Sequence, residues 1–191
     1  MSPSRRIDQP DFDRRTLLRA GLFAAAGLAL PLPALARFAP TGKSEKTLSF
    51  YNTHTGEEVK KAVFWAGGSF VPETLTHFNF LLRDHRTGEV ERIDPQLFLL
   101  IHNLRQRLDS RETIHIISGY RSLASNQLLR KTSSGVAKHS LHMDGKAMDL
   151  RVPGRDLSLV RKTALALKAG GVGYYPDSNF VHVDTGRVRF W

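Results

Sequence analysis

The chain contains no cysteine, which excludes disulfides, thiolate metal sites and a lipobox-type lipid anchor together. Any metal must then be held by histidine and carboxylate, a donor set more typical of catalytic than of structural zinc. Acidic residues are scarce as well: 18 Asp and Glu stand against 28 Lys and Arg, for a net charge of +10. That balance suits nucleic acid, an anionic membrane surface or an acidic polymer such as a cell wall. The basic residues are scattered, as in Lys60-Lys61, Arg105, Arg107 and Arg161-Lys162, and no nucleic-acid motif accompanies them, so nucleic acid is not the expected partner. Thr41-Gly42-Lys43-Ser44 ends like a phosphate loop but has Arg37 where the first glycine belongs, which excludes it. No internal repeat occurs. With 191 residues, 41% of them hydrophobic, the chain can still bury a core without cross-links.

Residues 1–36 read as an address rather than as fold. Asp13-Arg14-Arg15-Thr16-Leu17-Leu18-Arg19 precedes an apolar run from Ala20 to Leu30 that Pro31 and Pro33 break, and Ala34-Leu35-Ala36 offers small residues to a signal peptidase. The run falls short of the about 20 apolar residues of a spanning helix. The paired arginines resemble a twin-arginine export signal, with Asp13 and Leu17 where Ser or Thr and Phe are usual. The resemblance implies export to the periplasm, with no stable membrane insertion after cleavage. A polar lead-in, 37–46, separates this signal from the domain at 47–191.

Within that domain Thr47–Asn52 alternates as a strand, and Glu58–Trp65 pairs with it as a hairpin. Pro72 opens a short helix, and Asp94-Pro95 opens an amphipathic one with Leu97, Leu100, Ile101, Leu104 and Leu108 on one face. Thr113–Ile117 is a strand, Ser125–Arg130 a helix, Lys131–Lys138 a loop, and Ala147–Val152 a strand stopped by Pro153. Asp156 caps a helix that ends at Gly170-Gly171, and Val172–Tyr175, Phe180–Val183 and Val188–Trp191 are short strands. These last strands lie too close together for helical crossovers, so antiparallel pairing and a single α+β domain follow.

A hydrolytic zinc takes three protein ligands and leaves one position open. His142 lies in a glycine-turned loop, and Asp149 interrupts the apolar strand Ala147–Val152, where a carboxylate is costly without a cation or donors. His182 stands between two valines. Asp149 or His182 alone reads as a satisfied structural residue; with His142 on the incoming loop the three form a two-histidine, one-carboxylate set that converges on one zinc ion if the strands are neighbours.

Ser140-x-His142-x-x-Gly145-x-Ala147-Met148-Asp149 resembles the zinc signature of the D-Ala-D-Ala carboxypeptidase/endopeptidase superfamily, whose fold is shared with Hedgehog domains. Ser118-Gly119-Tyr120-Arg121 resembles its arginine motif, and Phe180-Val181-His182 its last ligand. The stretches Tyr51–Glu57 and Leu82–Arg86 point to the murein endopeptidase K-like branch. The resemblance implies an antiparallel sheet with helices packed on it, and His142, Asp149 and His182 as ligands of one zinc ion. It implies Arg121 as the residue that binds the peptide carbonyl or carboxylate and the developing oxyanion, and Ser140 as a residue that orients a ligand. The expected function is a periplasmic zinc peptidase that hydrolyses the stem-peptide cross-links of peptidoglycan.

The general base departs from the family. Many members carry Glu or Asp three residues before the last histidine, or His two before it; Asn179 and Phe180 stand there and accept no proton. Asp184, on the same strand face as His182, is the first candidate for base or for partner of a ligand, followed by Asp144 and His139. This gap keeps a second reading open: a non-catalytic zinc-containing wall-binding module of the same fold. His54, His77, His85, His102 and His115 are expected to be structural, with His54 and His85 marked by the motifs around them, and Trp65 and Trp191 are expected in the core.

Overall fold

The computed structural model describes residues 45–132 and 136–191. The expected signal at 1–36, the rejected phosphate loop and residues Ser133-Ser134-Gly135 of the expected loop lie outside the described residues. Eight strands, β1 (Lys46–Asn52), β2 (Glu58–Ala66), β3 (Ser69–Phe70), β4 (Ile114–Ser118), β5 (Ala147–Arg151), β6 (Gly171–Tyr175), β7 (Phe180–Asp184) and β8 (Arg189–Phe190), form one sheet in the order β3-β2-β1-β4-β5-β7-β6-β8. Helices α1 (Pro72–Leu81), α2 (Pro95–Arg107), α3 (Leu123–Thr132) and α4 (Leu157–Leu167) complete the α+β domain.

The N-terminal hairpin forms as expected, and β3 extends it, because Gly67 and Gly68 take φ of +61° and +90° and turn the chain back. Pairing is antiparallel except at β1–β4 and β6–β8. The second exception corrects the expectation for the last three strands. β7 returns from β6, so β8 runs along β6 again, and it docks on the free edge of β6 rather than beyond β7.

Strand alternation divides the sheet into two faces. Phe50, Phe64, Ile114, Met148, Leu150, Val181 and Val183 point to one face and are essentially inaccessible. Phe78 of α1 and Phe98 of α2 close over them, with Phe50–Phe78 and Phe78–Phe98 ring centroids 5.0 Å apart. Asp149, His182 and Asp184 alternate onto the opposite face.

Helix ends follow their sequence signals unevenly. Asp94 caps α2 by accepting from the Gln96 N–H at 2.9 Å, and Pro95 takes the first turn. Asp156 precedes α4 without a side-chain cap bond, and the helix stops at Lys168, itself left-handed at φ +51°, before Gly170-Gly171 is reached. Those glycines serve packing instead. A Cβ on Gly170 would collide with the Asp184 carbonyl oxygen, and the Gly171 N–H donates to Asp184 Oδ1 at 2.9 Å.

Candidate metal centre

The register of three adjacent strands assembles the cluster. Asp149 on β5 stands opposite His182 on β7 and opposite Ser118 on β4. His142 arrives from a short 3-10 turn, Leu141–Asp144, whose first N–H groups meet Ser140: its Oγ accepts from the His142 N–H at 3.4 Å. Gly145 ends this turn at φ +63°, and a Cβ there would run into the Arg92 carbonyl oxygen, so only glycine lets the chain pass. The turn is strapped to the loop after β4 in both directions. His142 Nδ1 donates to the Gly119 carbonyl at 2.7 Å, and the Arg121 N–H donates to the His142 carbonyl at 3.1 Å.

His142, Asp149 and His182 are all buried and bring one donor atom each within 4.8 Å of one another. Hydrogen-bond logic fixes what those atoms carry. The Gly119 carbonyl can only accept, so His142 Nδ1 holds the proton and Nε2 presents a lone pair. His182 has a carboxylate on each side, Asp184 Oδ2 3.0 Å from Nε2 and Asp149 Oδ1 2.8 Å from Nδ1; with its proton on Nε2, its Nδ1 presents a lone pair too. His142 Nε2 lies 3.1 Å from His182 Nδ1, and Asp149 Oδ1 lies 3.2 Å and 2.8 Å from the two nitrogens. With both rings neutral, three acceptors face one another, an arrangement that repels unless a proton or a metal cation sits between them. Two neutral imidazoles and a carboxylate fit zinc, and the outer nitrogens have the carbonyl and carboxylate partners such ligands need.

The electrostatics of the metal-free cluster differ, because protons then do the work a cation would do. Burial by itself would raise the Asp149 pKa, but His142 and His182 outweigh it and hold the carboxyl well below the usual range. Burial opposes the charged form of His182, and hydrogen bonding to Asp149 and Asp184 overcomes this and raises its pKa. Arg121 approaches the other carboxylate oxygen, with Nη2 3.7 Å from Asp149 Oδ2. Its remaining contacts are long, 3.5 Å to Asn126 Oδ1 and 3.5 Å to Ser118 Oγ, and its buried Nε has no partner among the described residues.

Asp184 departs from the first of its two expectations. It is inaccessible, and its oxygens are filled by His182, by the Gly171 and Gly186 N–H groups and by Arg189 at 2.8 Å. Burial would raise its pKa, but these donors hold it well below the usual range. A carboxylate so engaged, behind the ring rather than beside the ligand atoms, has the geometry of a ligand's partner and not of a proton acceptor. Asp144 is exposed on the 3-10 turn and does not line the cleft, whereas His139 does.

The cluster lies at the foot of an open cleft of about 660 Å³, in which Asp149 is the only side-chain carboxylate among the described lining residues. Trp191 corrects the expectation of a core residue. It is 46% exposed, lines the cleft 5.2 Å from the His182 ring, donates to Tyr175 Oη at 2.7 Å and fits over Gly173, which has no Cβ to displace it. His54 and His85, expected to be structural, also line the cleft as a stacked pair. Sequence reasoning missed Arg189, the Gly119 carbonyl and this histidine pair; only the last had a signal, in the motif-like stretches around each histidine.

A single α+β domain with one buried two-histidine, one-carboxylate cluster below an open cleft is that of a zinc metallopeptidase. The family described as Peptidoglycan L,D-endopeptidase MepK matches residues 40–191. Proteins of that name from Escherichia coli K12 and Shigella flexneri are 44% identical over 185 residues, covering 97% of this chain and 100% of theirs. A Haemophilus influenzae protein named probable peptidoglycan L,D-endopeptidase MepK is 42% identical over 182 residues, 95% of this chain and 96% of its own. The chain belongs to this family.

Proposed function

We propose that the chain is a zinc-dependent endopeptidase that hydrolyses L,D peptide cross-links of peptidoglycan. The observation that carries the reading is the cluster of three facing acceptors, His142 Nε2, His182 Nδ1 and Asp149 Oδ1, in a member of a peptidoglycan endopeptidase family. In this reading those residues hold one zinc ion. The metal, when bound, supplies Lewis acidity toward water and the scissile carbonyl.

The chain's own residues divide the remaining work. Arg121 is loosely held beside Asp149, so its guanidinium is free to bind the scissile carbonyl and the negative charge that develops on its oxygen. Ser140 shapes the turn that aims His142. Asp184, clamped by Arg189, fixes the His182 ring and its tautomer. His139 takes the proton from water, because it is the one expected acceptor that lines the cleft and is not consumed by another contact described above. The basic balance of the chain suits an anionic wall polymer. A substrate of this kind places the protein outside the cytoplasm, and residues 1–36 serve as the twin-arginine signal that takes the folded domain to the periplasm.

Release of peptides from purified sacculi, with and without chelator, tests the reading. Release that is lost with chelator, restored by zinc and absent in His142→Ala is expected. Zinc-loaded protein that releases nothing from sacculi, or a His142→Ala variant that releases as much as the parent, would overturn it.

A further inference from the structure

Another part of the cleft wall is built around two stacked histidines whose supports are well defined. His54 and His85 stack with ring centroids 3.9 Å apart and an interplanar angle of 8°, and among the described residues their ring nitrogens make no hydrogen bond. Each sits on a turn organised by a buried polar side chain. Asn52 Oδ1 accepts from the His54 N–H at 3.0 Å, while its Nδ2 donates to the Leu81 carbonyl at 2.9 Å. Asp84 Oδ1 accepts from the Arg86 N–H at 2.9 Å, while its Oδ2 accepts from the Ser122 N–H at 2.7 Å and so ties the His85 turn to the loop of Arg121. Arg83 joins the two turns by a bidentate pair with Glu57, at 2.8 Å and 3.1 Å. Three clamps thus hold the turns that carry two parallel imidazoles in the cleft lining.

The side chains that line the cleft carry mostly positive charge, although Asp84 lies behind His85 and Arg189 is paired with Asp184. Arg86, Arg121 and Arg189 line the same cleft, with Asp149 as the sole opposing side-chain carboxylate among the described lining residues, and that carboxylate is taken up by the histidine cluster. A concave wall of this kind concentrates anions. The His85 ring is held below its ordinary pKa by burial first and then by His54 and Arg86, a cost that an anion between these groups would relieve.

We propose that His54, His85 and Arg86 form an anion subsite that takes a free carboxylate of the substrate peptide, apart from the bond being cut. The inference rests on the peptidoglycan reading for its substrate class, since stem peptides carry free carboxylates, but the subsite itself follows from the stacked pair and its clamps. It binds through N–H donors of the imidazole edges and the Arg86 guanidinium, which form strong hydrogen bonds to a carboxylate. It makes the enzyme selective for substrates whose carboxylates are not amidated.

The test is binding, measured by calorimetry on zinc-loaded protein, of a soluble stem peptide with free carboxylates and of the same peptide with them converted to carboxamides. The parent should prefer the carboxylate form by roughly tenfold or more. The double variant His54→Gln, His85→Gln, and separately Arg86→Ala, should lose most of that preference while melting like the parent. A preference unchanged in both variants, or none in the parent, overturns the subsite. Sacculus digestion is run alongside: carboxylate preference without any cleavage would leave the subsite standing and count against the endopeptidase reading alone.

Discussion

Replacing Asp84 by asparagine removes a buried charge that organises both sides of the cleft. Asp84 is 1% exposed, and its carboxylate accepts the backbone N–H groups of Arg86, Thr87 and Ser122. Burial alone would raise its pKa, but the Ser125 hydroxyl, then the Arg86 and Ser122 N–H groups and the Ser122 hydroxyl, overcome that and lower it from 3.8 to about 2. A folded-state value below the unfolded one means that the native state binds its proton less readily. The contribution is therefore complete above the unfolded value and is lost as pH falls through the folded one. The depression corresponds to about 2 kcal/mol at neutral pH, of which about half remains at pH 3. The substituted side chain keeps one acceptor and turns an amide donor toward N–H groups, so Asp84→Asn should cost about 2 kcal/mol at pH 7. Urea unfolding of parent and variant with chelator present, at pH 7 and at pH 3, measures the difference. The deficit should shrink to about half at pH 3, with unchanged m-values. A deficit that is the same at both pH values would refute the claim that the charge, rather than the shape, of Asp84 holds these turns.

Other outcomes follow from the centre itself. Asp184→Asn should weaken zinc binding by about 10–100-fold, measured by chelator competition, and activity should return when zinc is added in excess; a proton acceptor lost at this position would not be rescued by metal. Arg121→Lys should retain its zinc while kcat falls by about 10²–10³, because a point charge replaces a fork of donors. His139→Ala should likewise keep its metal and lose about 10²–10⁴ in kcat on isolated cross-linked peptides. Gly173→Ala should push the Trp191 indole off His182, since the new Cβ would approach Trp191 Cε2 to 2.8 Å, and quenching of its fluorescence by acrylamide should rise.

What the sequence reveals about this protein is the chemistry, more than the way the chain holds it. An aspartate within the apolar strand Ala147–Arg151 and a histidine between Val181 and Val183 are anomalies that any core pattern exposes, and strand parity already puts Asp184 on the His182 face. The register that sets Asp149 opposite His182 depends on which strands become neighbours, and local pattern does not encode that. Gly119 falls inside the arginine motif, but it contributes a carbonyl, a group every residue has, so no residue type marks that role. Arg189 is one of many scattered arginines until β8 docks beside β6 and brings it to Asp184. The end of α4 misleads for a related reason: Gly170-Gly171 looks like a helix stop, whereas tertiary contact with Asp184 is what requires those glycines.

The two halves of the cleft are built differently, and the difference has a functional consequence. The ligands come from β5, β7 and a turn tied to the loop after β4, with the supports Asp184, at the end of β7, and Gly119, just past β4, both buried, so the centre is anchored to the sheet. The opposite wall rests on the turn after β1 and the loop after α1, joined through Asn52, Asp84 and the Arg83–Glu57 pair. Loops can change without disturbing strand register, so substitutions at residues 54, 85 and 86 can alter which peptide is held while the zinc ligands keep their geometry. The segment from Ser118 to Ser122 links the halves, since Gly119 supports a ligand, Arg121 lines the cleft and Ser122 is anchored by Asp84. Changes in the substrate wall should therefore reach the chemistry through Arg121, as a loss in kcat with zinc affinity unchanged, rather than through the metal.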